Sequence, residues 1–320
     1  MTIAYTIVNI KYLPVAKTLV DSFMKHNQNI PIYICFFDDK KNIEDPIFLD
    51  YNIYDKNNLD QEEYEDMRRR YTDFSMASSL KPFFGEALIR DFNPEYVIYL
   101  DADIKVFNSL EKIEHIFRNQ EQSIILTGHQ YAIIPTDNEL QINQRFRKYG
   151  IYNAGFFAFK NNEAGNLFLK WWRRMLFTKC IGDTENGVFY DQSWLDLVTI
   201  YFADDLYLLQ DLGYNVAFWN LQERRVSIIK GNYTINNEFS LVFYHFARFK
   251  YYEDSFMEGF NISTDQYPII EIIFSEYKRE LKSNLFEKYI FPLPKQKKIT
   301  LKEKIKNSLK YRITLLIDKL

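Results

Sequence analysis

The chain has 320 residues, 47% of them hydrophobic, enough to bury a large core in one elaborate domain or one domain with an appendage. Its net charge of −3 offers no basic surplus for a nucleic-acid surface. No stretch approaches the ~18 consecutive apolar residues of a spanning helix, and two cysteines, Cys35 and Cys180, give neither a disulfide framework nor a metal motif. The expectation is a cytoplasmic chain with ordinary thiols.

Thr2–Val8 reads as a strand rather than a leader. Pro14 then sits in the first turn of a helix that carries Val15, Leu19, Val20 and Phe23. Residues 30–37 form a second strand, and 60–70 are a dense charge run expected to be a solvated arm. Asp73 is placed to cap a helix running toward Arg90, with a kink expected at Pro82. The run Tyr96-Val97-Ile98-Tyr99-Leu100 reads as a strand buried on both faces. A helix from about Leu110, strands at 123–128 and 151–159, and a helix at 166–177 follow. Residues 190–202 are expected as a further helix behind a mobile loop at 186–189, and 240–246 as a late strand. Strands alternating with helices predict an α/β fold, a mainly parallel central sheet with helices on both faces. Such sheets bind ligands at the carboxyl ends of their strands.

That is where Asp101-Ala102-Asp103 falls, directly behind the Tyr96–Leu100 strand. Carboxylates at i and i+2 leave an extended backbone on the same side and can converge on one hard cation. Held by so few protein groups, the cation keeps positions open for phosphate oxygens. The plainer alternative is a pair of solvated loop acids, but the buried strand before them and Val106-Phe107 behind favour a ligand site. Neither Gly-x-Gly-x-x-Gly nor a P-loop is present, so metal and side chains would have to hold a phosphate.

The C-terminal residues 295–320 carry nine Lys and Arg against Glu303 and Asp318, a local surplus of +7. Leu301, Ile305, Leu309, Ile313, Leu316 and Leu320 recur at helical spacing, which describes a basic amphipathic helix. It would lie on an anionic membrane surface, or dock on the acidic body of its own chain.

Four segments together carry a family resemblance. Tyr99-Leu100-Asp101-Ala102-Asp103-Ile104, Tyr152-Asn153-Ala154-Gly155, Asp191-Gln192 and Tyr244-His245-Phe246 stand in the order and approximate spacing of GT-A nucleotide-sugar glycosyltransferases. The chain most resembles the retaining group called family eight. Thr6-Ile7-Val8-Asn9 with Tyr12-Leu13-Pro14 resembles that family's first strand and nucleotide-binding loop. The resemblance implies a GT-A (Rossmann-like) catalytic domain over 1–255, with 256–293 as a helical C-terminal extension and 294–320 as the basic tail. It implies a metal site of Asp101, Asp103 and His245 for Mn²⁺ or Mg²⁺. Val8, Asn9, Tyr12, Lys81, Ala102, Asn153, Ala154 and Gly155 would surround the nucleotide-sugar donor. Asp191 and Gln192 would stand at the reacting sugar. The family follows its histidine with Gly and then Lys-Pro, whereas this chain has Ala247-Arg248-Phe249-Lys250, so Lys250 and Arg248 compete as diphosphate ligands.

Individual residues support plainer readings beside these. His245 ends an apolar strand, and an imidazole beside two carboxylates would bias a site from Mg²⁺ toward Mn²⁺. A structural histidine is the alternative. His26, His115 and His129 lack such a context and read as surface or loop residues. Lys81 is either a donor contact or a solvated helix lysine. Gly155 admits a sugar close to the backbone or marks a bulge. Asp191 is a sugar-hydroxyl acceptor, or simply a first-turn acid at a helix N-terminus.

The resulting expectation is metal-dependent sugar transfer, with retention, from a nucleotide-sugar (UDP-sugar favoured) to a hydroxyl of a glycan, lipid-linked or protein acceptor. Polysaccharide synthesis at the inner membrane face would suit the tail. The alternatives are an inverting enzyme with Asp191 as base and a glycan or nucleotide-sugar binder without turnover. A phosphohydrolase using Asp101 as nucleophile fits less well, since Lys105 stands where that motif carries Thr or Val.

Overall fold

The computed structural model describes residues 1–135, 137–249, 251 and 267–290. Lys250 and the 294–320 tail lie outside the described residues, as do 252–255 of the expected catalytic domain and 256–266 and 291–293 of the expected extension. In chain order the first half runs β1 (Thr2–Val8), α1 (Leu13–His26), β2 (Ile32–Phe36), β3 (Ile53–Asp55), α2 (Gln61–Arg70), α3 (Asp73–Phe92), β4 (Tyr96–Leu100) and β5 (Ile104–Val106). Then come α4 (Glu111–Asn119), β6 (Ile124–Gly128), α5 (Glu139–Tyr149), β7 (Tyr152–Lys160), α6 (Glu163–Thr178), β8 (Gly182–Asp183) and β9 (Val188–Phe189). The rest are α7 (Val198–Tyr201), β10 (Leu206–Leu208), β11 (Val226–Ile229), β12 (Asn232–Ile235), β13 (Phe239–Ser240), β14 (Phe243–His245), α8 (Pro268–Ser283) and α9 (Phe286–Tyr289).

Seven strands form the central sheet in the order β10-β6-β7-β4-β1-β2-β3. All pair in parallel except β7, which runs antiparallel to both β4 and β6. This is the mainly parallel α/β architecture implied by the GT-A resemblance. The two-residue period of a strand splits its side chains between two cores. From β4, Tyr96, Ile98 and Leu100 enter the core beneath α1, α4 and α8, while Val97 and Tyr99 enter the one beneath α2, α3 and α6. Burial on both faces is why β4 reads as an unbroken apolar run. Among the described residues no helix is long and apolar enough to cross a membrane.

Several expectations change. Residues 60–70 are a helix rather than a solvated arm: Asp60 caps α2, and Tyr64 and Met67, three apart, are buried against the sheet. Its charges cover only the outer face. The N-cap of α3 is Thr72, whose hydroxyl accepts from Ser75 N at 3.2 Å, and the helix runs unbroken through Pro82. The helix expected at 190–202 breaks into a 3₁₀ turn, Ser193–Leu197, and the short α7. Tyr190 before it takes a left-handed φ of 48°, and the Ser193 hydroxyl accepts from Phe189 N at 2.7 Å, so the chain turns here rather than winding on. Residues 186–189 end in β9, which pairs with β8 as a hairpin.

Cys35 and Cys180 are free and buried. The α8 helix adds Ile270, Ile273, Phe274, Tyr277 and Leu281 to the same core as α1. Tyr277 stacks on Phe246, the ring after His245, with centroids 3.7 Å apart. Helix α8 therefore braces the segment that carries the histidine.

Candidate active site

A cavity of about 830 Å³ opens at the carboxyl ends of β1 and β4. Val8, Asn9, Tyr12, Lys81, Asp101, Ala102, Asp103, Asn153, Ala154, Gly155, Asp191, Gln192 and His245 all line it. Every described residue chosen from the sequence is thus brought to one place. Arg248 lines it too, with a left-handed φ of 62°.

Two strand pairings assemble the acidic centre. Asp101 follows β4 and its N–H donates to Gly155 O on β7 at 2.8 Å. Beyond it, β5 pairs antiparallel with β14, setting His245 opposite Ile104, and Phe246 N donates to Asp103 O at 2.8 Å. A ligand 142 residues downstream of Asp103 is placed by this short ribbon. His245 Nε2 lies 3.1 Å from Asp103 Oδ1 and 3.8 Å from Asp101 Oδ2. One ligand atom from each of the three lies within 4.8 Å of the others. Ligands at right angles about an ion at ~2.1 Å stand ~3 Å apart, so the spacing suits a small divalent cation. Two carboxylates with one imidazole suit Mn²⁺ or Mg²⁺, the nitrogen favouring Mn²⁺. Burial opposes a charge on His245, but Asp103 and Asp101 outweigh it and hold its pKa above the ordinary value.

Gly155 has a specific reason. A Cβ built there would stand 2.3 Å from His245 Cε1 and 2.8 Å from Nδ1. The imidazole of His245 needs this space.

Lys81 is neither solvated nor a loose cation. Its side chain is 5% exposed, and Nζ lies 2.6 Å from Asp191 Oδ2, 3.1 Å from Asp101 Oδ1 and 2.9 Å from Ala154 O. The ammonium also sits over the Tyr99 ring, 4.7 Å from its centroid. Burial works against the charge, but Asp101 and Asp191 prevail and raise the lysine's pKa. Burial pushes Asp101 upward as well, and Lys81 and His245 more than offset it, so Asp101 is held below the usual carboxylate range. At Asp191 burial wins over Lys81 and the pKa is raised. Asp191 does not open a helix. Its place is set by Lys81 and by Trp172, whose Nε1 donates to Asp191 O at 3.1 Å. Lys81 is held in turn by Tyr5, whose hydroxyl donates to Lys81 O at 2.7 Å.

Gln192 is clamped to the backbone: its Oε1 accepts from Ala154 N at 3.3 Å and its Nε2 donates to Tyr149 O at 2.8 Å. One turn on, Asp196 Oδ1 accepts from Ile151 N at 2.9 Å. Burial pushes its carboxyl up to about 6, against the help of two backbone N–H groups. Between the unfolded value of 3.8 and about 6 the folded chain holds a proton that the unfolded chain has lost, so this group's contribution falls as pH rises through that window. Asp196→Asn keeps an acceptor and removes the penalty. Its thermal midpoint should exceed that of wild type at pH 8 and converge with it near pH 4.

At the end of β1, Asn9 Oδ1 accepts from Tyr12 N at 3.2 Å and its Nδ2 donates to Asp73 Oδ2 at 3.3 Å. The first loop is tied in this way to the start of α3. His129 corrects the sequence reading: it is buried, lines the cavity, and burial pushes its pKa down to about 4, leaving a neutral ring. It stacks on Phe146 (centroids 5.5 Å) and meets Trp219 edge-on (5.3 Å). Phe146 and Arg145 on α5, with Phe218 and Trp219, complete a wall that the sequence reading missed. Trp219 also abuts the His245 ring edge-on at 5.3 Å. A lone histidine and scattered aromatics carry no periodic signal, and only the fold collects them.

No protein-family model matches the chain. It is 28% identical over 255 residues to the uncharacterised protein YfnF of Bacillus subtilis (strain 168), covering 78% of this chain and 82% of that protein. Among solved structures it is similar to the galactosyltransferase LgtC in complex with donor and acceptor sugar analogues, at TM-score 0.47 and 13% identity, covering 87% of this chain and 95% of that one. It is also similar to apo mouse xyloside xylosyltransferase 1, at TM-score 0.44 and 12% identity, covering 68% and 88%.

Proposed function

We propose that the protein is a metal-dependent glycosyltransferase of the family-eight type, moving a sugar from a nucleotide-sugar donor, with UDP-sugars favoured, to the hydroxyl of a glycan or lipid-linked acceptor. The observation that carries this reading is the convergence of Asp101, Asp103 and His245 on a cation-sized space at the floor of the cavity. Bound there, a divalent ion would neutralise the charge that develops on the departing diphosphate. The chain's own residues do the rest. Asn9 and Tyr12 border the cavity at the end of β1, where the nucleoside would lie. Asp191, Asn153 and Gln192 face the cavity near Lys81, placed to hold the donor sugar. Lys81 keeps Asp101 ionised and Asp191 in place, so the metal ligands and the sugar contact share one support.

The pairing of Asp191 with Lys81 favours retention by a front-face route, in which the leaving diphosphate takes the acceptor's proton. The raised pKa of Asp191 favours a second reading, an inverting enzyme with this carboxylate as base. NMR of the product anomer separates them: the donor's configuration retained supports the first, and inverted the second. The basic amphipathic sequence of 295–320 fits an acceptor displayed at an anionic membrane surface.

A thermal-shift screen of nucleotide-sugars with and without Mn²⁺ tests the function. One donor should raise the midpoint only when metal is present. Asp103→Asn should leave the protein folded and abolish both donor hydrolysis and transfer. Turnover that persists in excess EDTA would end the metal-dependent reading, and a selected donor that is bound but never cleaved would mark a binding protein.

A further inference from the structure

We infer that Asn215 is a positioning residue that fixes His245 in the tautomer whose Nε2 lone pair faces Asp101 and Asp103. This rests on the metal reading above and deepens it. Asn215 is fully buried and takes a left-handed φ of 54°, a conformation that asparagine tolerates better than most side chains. Its Nδ2 lies 2.9 Å from Thr127 Oγ1 and 3.0 Å from Asn153 Oδ1, and its Oδ1 lies 3.3 Å from His245 Nδ1.

Amide orientation is usually an assignment, but here backbone groups of fixed polarity dictate it. Tyr149 O can only accept, so Gln192 must present Nε2 to it, at 2.8 Å. Gln192 Oε1 then faces Ala154 N, a donor only, and Asn153 Nδ2 at 3.1 Å. Asn153 Oδ1 must therefore accept, from Gly155 N at 3.1 Å and from Asn215 Nδ2. With both Nδ2 protons of Asn215 committed, only its carbonyl oxygen remains for His245. An oxygen opposite Nδ1 calls for a proton there, so when a cation displaces the proton that Nε2 would otherwise share with Asp103 Oδ1 at 3.1 Å, Nε2 is the nitrogen left to ligate it. Three amides thus carry a backbone-defined polarity from the sugar side of the cavity to the metal ligand.

The test is long-range ¹H–¹⁵N NMR of histidine-labelled full-length protein saturated with Mg²⁺, a diamagnetic ion, with Mn²⁺ affinity read from the EPR signal of free ion. In wild type, His245 should be the Nδ1–H tautomer. Asn215→Leu should shift the ring toward Nε2–H and weaken Mn²⁺ binding by about ten- to a hundredfold. Asn215→Leu folding stably with tautomer and Mn²⁺ affinity unchanged would reduce Asn215 to a packing residue and overturn the inference. An Nε2–H ring in wild type overturns it without any variant, so a failure of the variant to fold does not shield it. Wild type that binds no Mn²⁺ yet shows the Nδ1–H ring would defeat the metal reading and leave the amide relay standing.

Discussion

Lys81→Met should destabilise the protein by about 3–5 kcal/mol, the range measured when one partner of a buried ion pair is removed. The ammonium stands between Asp101 and Asp191 with 5% of its side chain exposed, so methionine would strip Asp191 of its counter-charge and leave His245, 3.8 Å away, to offset Asp101. Sugar transfer should disappear with it, since Asp101 loses the group that keeps it ionised. Adding Asp191→Asn to Lys81→Met removes one of the stranded charges and should recover a large part of the lost stability, a coupling that a double-mutant cycle reads directly. Denaturant midpoints measure both effects. A single variant within about 1 kcal/mol of wild type, or a double variant no better than the single, would show that the triad does not carry the load assigned to it.

Gly155→Ala should cost about 1–3 kcal/mol and also weaken Mn²⁺ binding by about tenfold or more. The added methyl group would stand 2.3 Å from His245 Cε1, closer than atoms can approach, so the imidazole must move away from Asp103. Ala158→Gly, on the same strand but not among the residues that line the cavity, serves as the control: it should lower stability without changing metal affinity. Gly155→Ala that binds Mn²⁺ as tightly as wild type would mean that the ring has room the geometry does not give it.

The parts of this site that were legible in the sequence are those with short-range signatures. The β4 strand announces itself because both of its faces are buried, and Asp101 and Asp103 follow from their position at its end. His245 became visible through the family resemblance, since the β5–β14 pairing that delivers it joins segments far apart in sequence. The Lys81–Asp191 pair was hidden for the same reason: each residue was singled out, but nothing in a linear reading joins positions 110 apart. The charge run at 60–70 misled because nine polar residues in eleven drown a two-residue apolar signal, and Tyr64 and Met67 are enough to dock α2. Residues 190–202 misled in the opposite direction. Trp194, Leu195, Leu197 and Val198 have helical spacing, but the tie between Ser193 and Phe189 and the reversal at Tyr190 turn the chain first. A local side chain–backbone hydrogen bond here outweighs the apolar pattern.

The central claim is that Asp101, Asp103 and His245 hold a divalent ion that receives the donor's diphosphate. Calorimetric titration of the intact protein with the nucleoside diphosphate of the donor selected by thermal shift, in Mn²⁺ and in EDTA, addresses it most directly. The account predicts binding at least about tenfold tighter with Mn²⁺, and loss of that gain in folded Asp103→Asn. Equal affinity in Mn²⁺ and EDTA, or a gain that survives in Asp103→Asn, would contradict it.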